Sequence, residues 1–225
     1  MNGKLSVIAT PIGNLEDMTF RAVRTLQACD AVLCEDTRVT AKLLQKYEIK
    51  KPMISYHAHS KLTKNERIME MLEEGKHLAL VSDAGTPAIS DPGAHLVSLI
   101  RTQVPDTKIE AIAGPSSLSA ALSVAGIHAD QFLFLGFLPH KKGRQKALDE
   151  AVLSKNTVVF FESPHRITKL LTELTKRVPE RRIAVLQELT KLFETATTGT
   201  VAEVAERFES GSMPARGEFV VVLSA

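Results

Sequence analysis

The 225-residue chain has no tryptophan, two tyrosines and an aromatic content of 5%. Flat platforms for stacking successive bases are therefore scarce. Its two cysteines, Cys29 and Cys34, have no His or Cys partner pattern around them. That argues against a disulfide framework or a cysteine zinc site, and a reducing, cytoplasmic compartment fits best. The seven histidines show no metal-ligand spacing; His57 and His59 are two apart, too close for one helical face, and no metal is expected. The start, MNGKLSVIAT, carries no visible secretory signal. The longest run free of Asp, Glu, Lys and Arg, residues 111–129, contains Gly114, Pro115 and four serines. It reads as a loop followed by a buried helix, and no membrane span is expected. No charge of one sign dominates: Lys and Arg total 28, Asp and Glu 26, for a net charge of +2. This is too balanced for a protein that coats nucleic acid non-specifically, but it leaves room for a local basic face. Neither GxxxxGK[ST] nor GxGxxG occurs, so ATP, GTP and NAD are poorly supported.

What is present is ordinary globular composition, 44% apolar and 24% charged, enough to bury a real core. The first half alternates apolar strand runs with helical periodicity. Strands are expected at 5–9, 31–34, 77–81 and 108–113, and helices at 19–29, 62–74 and 94–103. This implies a mostly parallel sheet with helices on both faces. The second half reads as strands at 131–137, 156–161, 182–187 and 218–223, with helices at 143–153, 164–177 and 201–209 and a threonine-rich stretch at 195–200. Its strand-rich end suggests a mixed sheet. The expected organisation is two α/β domains, 1–112 and 113–225. The first 112 residues balance 14 basic against 14 acidic side chains, so the basic excess lies in the second half. It is sharpest at 138–146 (LPHKKGRQK), where Lys141, Lys142, Arg144 and Lys146 meet no acidic residue.

Four loops follow expected strand ends: TPIGNLED at 10–17, EDTR at 35–38, SDAGTPAISDPG at 82–93 and GPSS at 114–117. In an open parallel sheet such loops converge on one crevice. None is a phosphate cradle. Glycines, exposed carbonyls and Asp83 suit a cationic ligand with ribose hydroxyls better. Asp83 and Asp91 also fit helix N-caps. EDTR and the ESPHR of 162–166 also fit structural ion pairs, and the basic 138–146 stretch also fits a solvated helix start. Ser116 and Ser117 lack a nucleophile elbow, which disfavours a serine hydrolase. On these grounds alone the reaction stays open.

Taken together, ATPIGNLEDMTFRAVRTLQACDAVLCEDTR, VSDAGTPAISDPG, AGPSSLSAALSVAG, FLGFLPHKKGR, FFESPHR and ELTK resemble the ribosomal RNA small subunit methyltransferase I family, over residues 5 to about 222. That family lies within the tetrapyrrole-methylase-like S-adenosylmethionine methyltransferases. The porphyrin and corrin branch usually has a GxGPGD-like first loop and a GDP-type third loop; TPIGN and SDAGTP stand here instead. The resemblance implies the tetrapyrrole methylase fold, with the donor S-adenosylmethionine in a cleft between two domains, and a homodimer. It implies methyl transfer to the ribose 2′-oxygen of a decoding-centre cytidine in 16S rRNA of the small ribosomal subunit. That cytidine also carries an N4-methyl group from another enzyme.

Carried onto this sequence, the resemblance places Pro11, Asp83, Gly85, Thr86, Ser116 and Ser117 against the donor, with Phe161 and Gly217 flanking it. A base or cation near the 2′-hydroxyl would help it attack. Asp36, Glu162, Glu188 and Lys191 are the candidates. Arg38, Arg166, Lys141, Lys142 and Arg144 are candidate phosphate contacts. One departure is Gln187, where the family often has the arginine of R-E-L-T-K; it removes a charge from an expected RNA face. Two other classes stay open: a tetrapyrrole or corrin C-methyltransferase of the same fold, and a non-enzymatic rRNA-binding assembly factor.

Overall fold

The protein is described by a computed structural model covering residues 3–56 and 62–225; the His57 and His59 pair lies outside the described residues. The chain divides into two compact units, Met1–Ser116 and Ser117–Ala225.

The first unit holds β1 (Lys4–Ile8), α1 (Phe20–Ala28), β2 (Ala31–Cys34), α2 (Thr37–Lys46), β3 (Met53–Ser55), α3 (Leu62–Glu73), β4 (His77–Leu80), α4 (Gly93–Gln103) and β5 (Lys108–Ile112). Its sheet has the order β3-β2-β4-β1-β5, and every pairing is parallel. Alternate residues supply two cores, as a sheet covered on both faces requires. Ile8, Val32, Cys34, Ala79 and Ile112 pack with Ala22 and Leu26 of α1 and with Leu43 and Leu44 of α2. Leu5, Ala31, Leu33, Leu78 and Leu80 pack with Ile68 and Leu72 of α3 and with Leu96 and Ile100 of α4. Thr19 caps α1 by accepting from the Ala22 amide at 3.1 Å. The parallel sheet and its helices match the expectation. α2 and β3 carry no expectation from the pattern above; α2 begins directly behind EDTR, with Asp36 as its N-cap.

The second unit holds α5 (Ser117–Val124), β6 (Phe132–Phe137), α6 (Arg144–Leu153), β7 (Thr157–Glu162), α7 (Ile167–Thr175), β8 (Arg182–Gln187), β9 (Thr195–Thr200), α8 (Val201–Glu209) and β10 (Phe219–Leu223). Its order is β6-β7-β10-β8-β9. β6 and β7 are parallel, and the other pairings are antiparallel. The mixed sheet is as expected, and the threonine-rich stretch is its edge strand β9. Phe160, Val185 and Val221 face Leu148 of α6, Leu170 and Leu174 of α7, and Val204 of α8 in one core. α7 is shorter at both ends than the periodicity predicts. Glu162 of ESPHR ends β7, residues 163–166 occupy the turn before α7, and Arg166 is its N-cap residue without a side-chain cap bond.

Candidate functional site

β4, β1 and β5 are neighbours, so the loops after them must meet at the carboxyl edge of the first sheet. The backbone stitches them together. Thr10 N donates to Gly85 O at 2.9 Å and Gly85 N to Thr10 O at 3.0 Å. Thr10 Oγ1 donates to Ser82 O at 3.2 Å, and Thr86 Oγ1 to Pro115 O at 3.1 Å. Gly85 sits at φ +79°, and a Cβ there would come within 3.3 Å of Ile12 Cγ2. A Cβ on Gly114 would stand 3.1 Å from the Ala9 Cβ. Both positions therefore need glycine, one for its dihedral and one for space. Ala88 (φ 70°) and Ser90 (φ 62°) are also left-handed. Asp91 holds that turn, its Oδ1 accepting from Ala88 N at 2.8 Å and Gly93 N at 2.7 Å. Asp91 is thus a structural carboxylate at the start of α4.

β2 lies beside β4, which brings EDTR against the same edge. Asp83 Oδ1 accepts from the Asp36 amide at 3.1 Å. Asp36 Oδ1 accepts from Arg38 N at 2.8 Å and from Arg38 Nε at 3.0 Å. The Arg38 hydrogen bond holds the Asp36 carboxyl well below the usual carboxylate range. Glu35 moves the other way: burial raises its pKa, and the charges of Asp91 and Asp83 add to that. Glu35, Asp36, Thr37, Arg38, Ser55 and Asp83 line a cavity of about 350 Å³.

The second unit deploys its candidates differently. The Glu162 side chain is fully buried, with Oε1 3.1 Å from Arg166 Nε and 2.8 Å from the Ser163 amide that donates to it. Its Oε2 lies 3.6 Å from Arg144 Nη1. Arg144 is 3% exposed, and its Nη2 lies 2.8 Å from Glu173 Oε2. Glu162 is therefore enclosed between two guanidiniums, and Arg144, expected on the basic surface, is an internal strut. Lys141 and Lys142 are exposed. Lys191 Nζ bridges Glu188 Oε1 at 2.8 Å and Glu218 Oε2 at 2.7 Å. Burial disfavours the Lys191 charge, but its bonds to Glu188 and Glu218 outweigh this and raise its pKa. At neutral pH it is an ammonium, not a base. Glu188, at φ 52°, lies across Gly217. A Cβ on Gly217 would fall on the Glu188 carboxylate. Gln187 is 6% exposed, its amide donating to the carbonyls of Pro214 at 3.0 Å and Arg216 at 2.8 Å. That position is interior, which corrects its placement on an RNA face. Phe161 packs edge-on against Phe134 and Phe137, with ring centroids 4.9 and 5.5 Å away. Ser117 opens α5. Pro11 is buried in the first loop, and Ser116 is half-buried at the end of the fourth. Glu35 lies in EDTR, but it is Asp36 and not Glu35 that pairs with Arg38; Glu173 and Glu218 are not singled out by the sequence. Their partners lie far along the chain, and no local spacing marks them.

A sheet edge built from these loops defines a class. The family model for tetrapyrrole (corrin/porphyrin) methylases matches residues 4–205. Solved structures share the fold at low identity. The methyltransferase CobJ superposes with a TM-score of 0.70 at 18% identity, over 99% of this chain and 94% of that one. A uroporphyrin-III C-methyltransferase from Thermus thermophilus, complexed with S-adenyl homocysteine, gives 0.65 at 19%, over 99% and 97%. Much closer in sequence are proteins named ribosomal RNA small subunit methyltransferase I. That of Neisseria meningitidis serogroup B is 43% identical over 224 residues, 99% of this chain and 76% of the relative. That of Thermotoga maritima is 41% identical over 222 residues, 99% and 98%. The chain belongs to the ribosomal RNA small subunit methyltransferase I family.

Proposed function

We propose that the chain transfers a methyl group from S-adenosylmethionine to the ribose 2′-oxygen of a decoding-centre cytidine in 16S rRNA, working as a cytoplasmic homodimer on the small ribosomal subunit. The observation that carries this reading is likeness at 41–43% identity along almost the whole chain to proteins named for small-subunit rRNA methylation. Tetrapyrrole enzymes match at only 18–19%. That difference favours RNA over a corrin or porphyrin acceptor.

The first unit fits the donor. Gly85 turns at φ +79° with the Ile12 side chain close behind it, two residues from the exposed Asp83 carboxylate that lines the cavity. Carbonyls and a carboxylate suit a cation that carries a ribose diol. Pro11, Asp83, Gly85, Thr86, Ser116 and Ser117 are assigned to it, and Phe161 and Gly217 keep their flanking assignment. S-adenosylmethionine supplies a methyl group already activated on a sulfonium. The protein's task is then chiefly alignment. Of the four candidates, Glu162 is enclosed, Lys191 is protonated, and Glu188 is tied to Lys191. Asp36 keeps a carboxylate at the cavity edge, and its bond to Arg38 keeps it ionised. It is suited to accept a hydrogen bond from the hydroxyl and orient it. Glu35 beside it has the greater proton affinity and is the better acceptor of a proton. Arg38, Lys141 and Lys142 are assigned to phosphates. Among the described residues no helix is long and apolar enough to cross a membrane, and no group of three or more His, Cys, Asp or Glu is placed to hold a metal ion.

The test is incubation of the protein with isotopically labelled S-adenosylmethionine and small subunits that lack the modification. One new alkali-resistant linkage at a decoding-centre cytidine is the expected result. Donor binding without label in rRNA moves the acceptor to a tetrapyrrole or another substrate. RNA binding without donor binding in calorimetry makes the protein an assembly factor.

A further inference from the structure

The loop that joins β6 to α6 is exposed along residues 139–143, yet both of its ends are held by charge, partly buried at Arg166 and buried at Arg144. At one end Leu138 is 2% exposed, and its carbonyl accepts a hydrogen bond from Arg166 Nη2. Arg166 Nη1 also lies 3.3 Å from His140 Nε2. At the other end Gly143 turns at φ 86°, and Arg144 passes inward to Glu173 and Glu162. Glu162 is the common partner. It meets Arg166 through Oε1 and Arg144 through Oε2, and Oε2 accepts no hydrogen bond. Between the two anchors stand Lys141 and Lys142, both exposed.

We infer that Glu162, Arg144 and Arg166 are positioning residues that hold the 138–143 loop in one conformation, so that Lys141 and Lys142 present a fixed pair of ammonium groups to the RNA phosphates. This rests on the proposed reading that the protein binds rRNA. The physical reason for such a device is entropy. A six-residue loop ordered only on binding loses conformational freedom at that moment, and a loop ordered beforehand does not. Three planar charges beneath the loop do the ordering, with hydrogen bonds from Arg144 Nε to Glu173, from the Ser163 amide to Glu162 and from Arg166 to the Leu138 carbonyl. The exposed lysines remain free for an anion. The arrangement also explains why a region with four basic side chains presents only some of them outward: Arg144 acts from below.

The test uses the full chain. In Glu162→Gln, trypsin cleavage after Lys141 and Lys142 is expected to quicken by about tenfold as the loop opens. The KM for small subunits is expected to rise about tenfold, with kcat and affinity for S-adenosylhomocysteine within about twofold. Arg166→Lys keeps the buried charge but loses the planar fork; it carries the same readouts should Glu162→Gln fail to fold. In a cycle with Lys141→Ala/Lys142→Ala, the KM effect of Arg166→Lys should largely vanish, because a loop without its lysines has nothing to position. Full additivity in that cycle, or unchanged proteolysis in a folded variant, overturns the proposal. If removing both lysines leaves the subunit KM unchanged, the RNA role of the loop falls and the proposal with it. If removing them raises KM but Glu162→Gln does not, positioning alone falls. If the wild-type protein labels no rRNA, the proposed function fails, while proteolysis still reports whether the network orders the loop.

Discussion

The two units fasten their strand-end loops by different means. In the first, every joint includes a backbone group: Thr10 and Gly85 exchange two hydrogen bonds, threonine hydroxyls donate to carbonyls, the Asp83 and Asp91 carboxylates accept from amides, and glycine provides the dihedral and the clearance. In the second, side-chain charge does the work, through Glu162 with Arg144 and Arg166, and through Lys191 with Glu188 and Glu218. The difference teaches what each fastening tolerates. Amide bonds do not titrate and are little affected by salt. They hold loops close while leaving Asp83 and Asp36 at the surface. Ion pairs can be buried and can reach between distant elements, but each depends on every partner keeping its charge.

The sharpest way to break this comparison is to remove a buried charge. Arg144→Met leaves Glu173 and Glu162 short of a partner, and is expected to destabilise the second unit by about 3–5 kcal/mol, read by denaturant unfolding. A loss below about 1 kcal/mol would mean that the network is less dry than its burial implies. Next in size is Gly85→Ala. Forcing a Cβ into a left-handed position costs about 1–2 kcal/mol, and the shifted loop should weaken S-adenosylhomocysteine binding at least as much. Calorimetry at two salt concentrations would separate the units: the Gly85 effect should be independent of salt.

The smallest effect concerns pH. The bond from Lys191 lowers the Glu188 pKa, so its contribution is present above the ordinary carboxylate range and is lost as pH falls through the lowered value. Lys191 is raised, so its contribution is present below the ordinary lysine range and is lost as pH rises through the raised value. The latch should therefore hold across neutral pH and loosen at both extremes, by about 1 kcal/mol or less for so partly exposed a group. Lys191→Met should remove both limbs from the pH profile of stability by lowering the midregion by about that same amount, leaving the two extremes almost unchanged.

Much of the first unit was legible because its strands are continuous apolar runs ending in Gly, Pro and Asp, and because parallel strands put such loops on one edge. The stitching of Thr10 to Gly85 was not legible, since backbone bonding between distant loops leaves no side-chain pattern. α2 had its signals, an Asp36 cap and buried Thr40, Leu43 and Leu44, but EDTR drew attention as a polar motif rather than as a helix start. In the second unit the ion-pair reading of ESPHR competed with the catalytic one. Burial separates them, since a fully enclosed carboxylate between two guanidiniums is a tie. Arg144 sat in a run of surface lysines, and only packing against α7 shows that it turns inward. Gln187 was misplaced for the same reason: no local spacing reports that the 214–216 turn lies over it.

The group of Arg144 and Glu162, both buried, with the partly buried Arg166 and Glu173, has two charges of each sign and sums to zero. A single change at any of the four leaves a charge unmatched, most severely at the buried Arg144 and Glu162, whereas a matched pair of changes does not. For a lineage accumulating one substitution at a time, the intermediates are worse than either end state. These four positions should therefore drift together or stay put, and their variation across descendants would be correlated even where no single one of them touches the reaction.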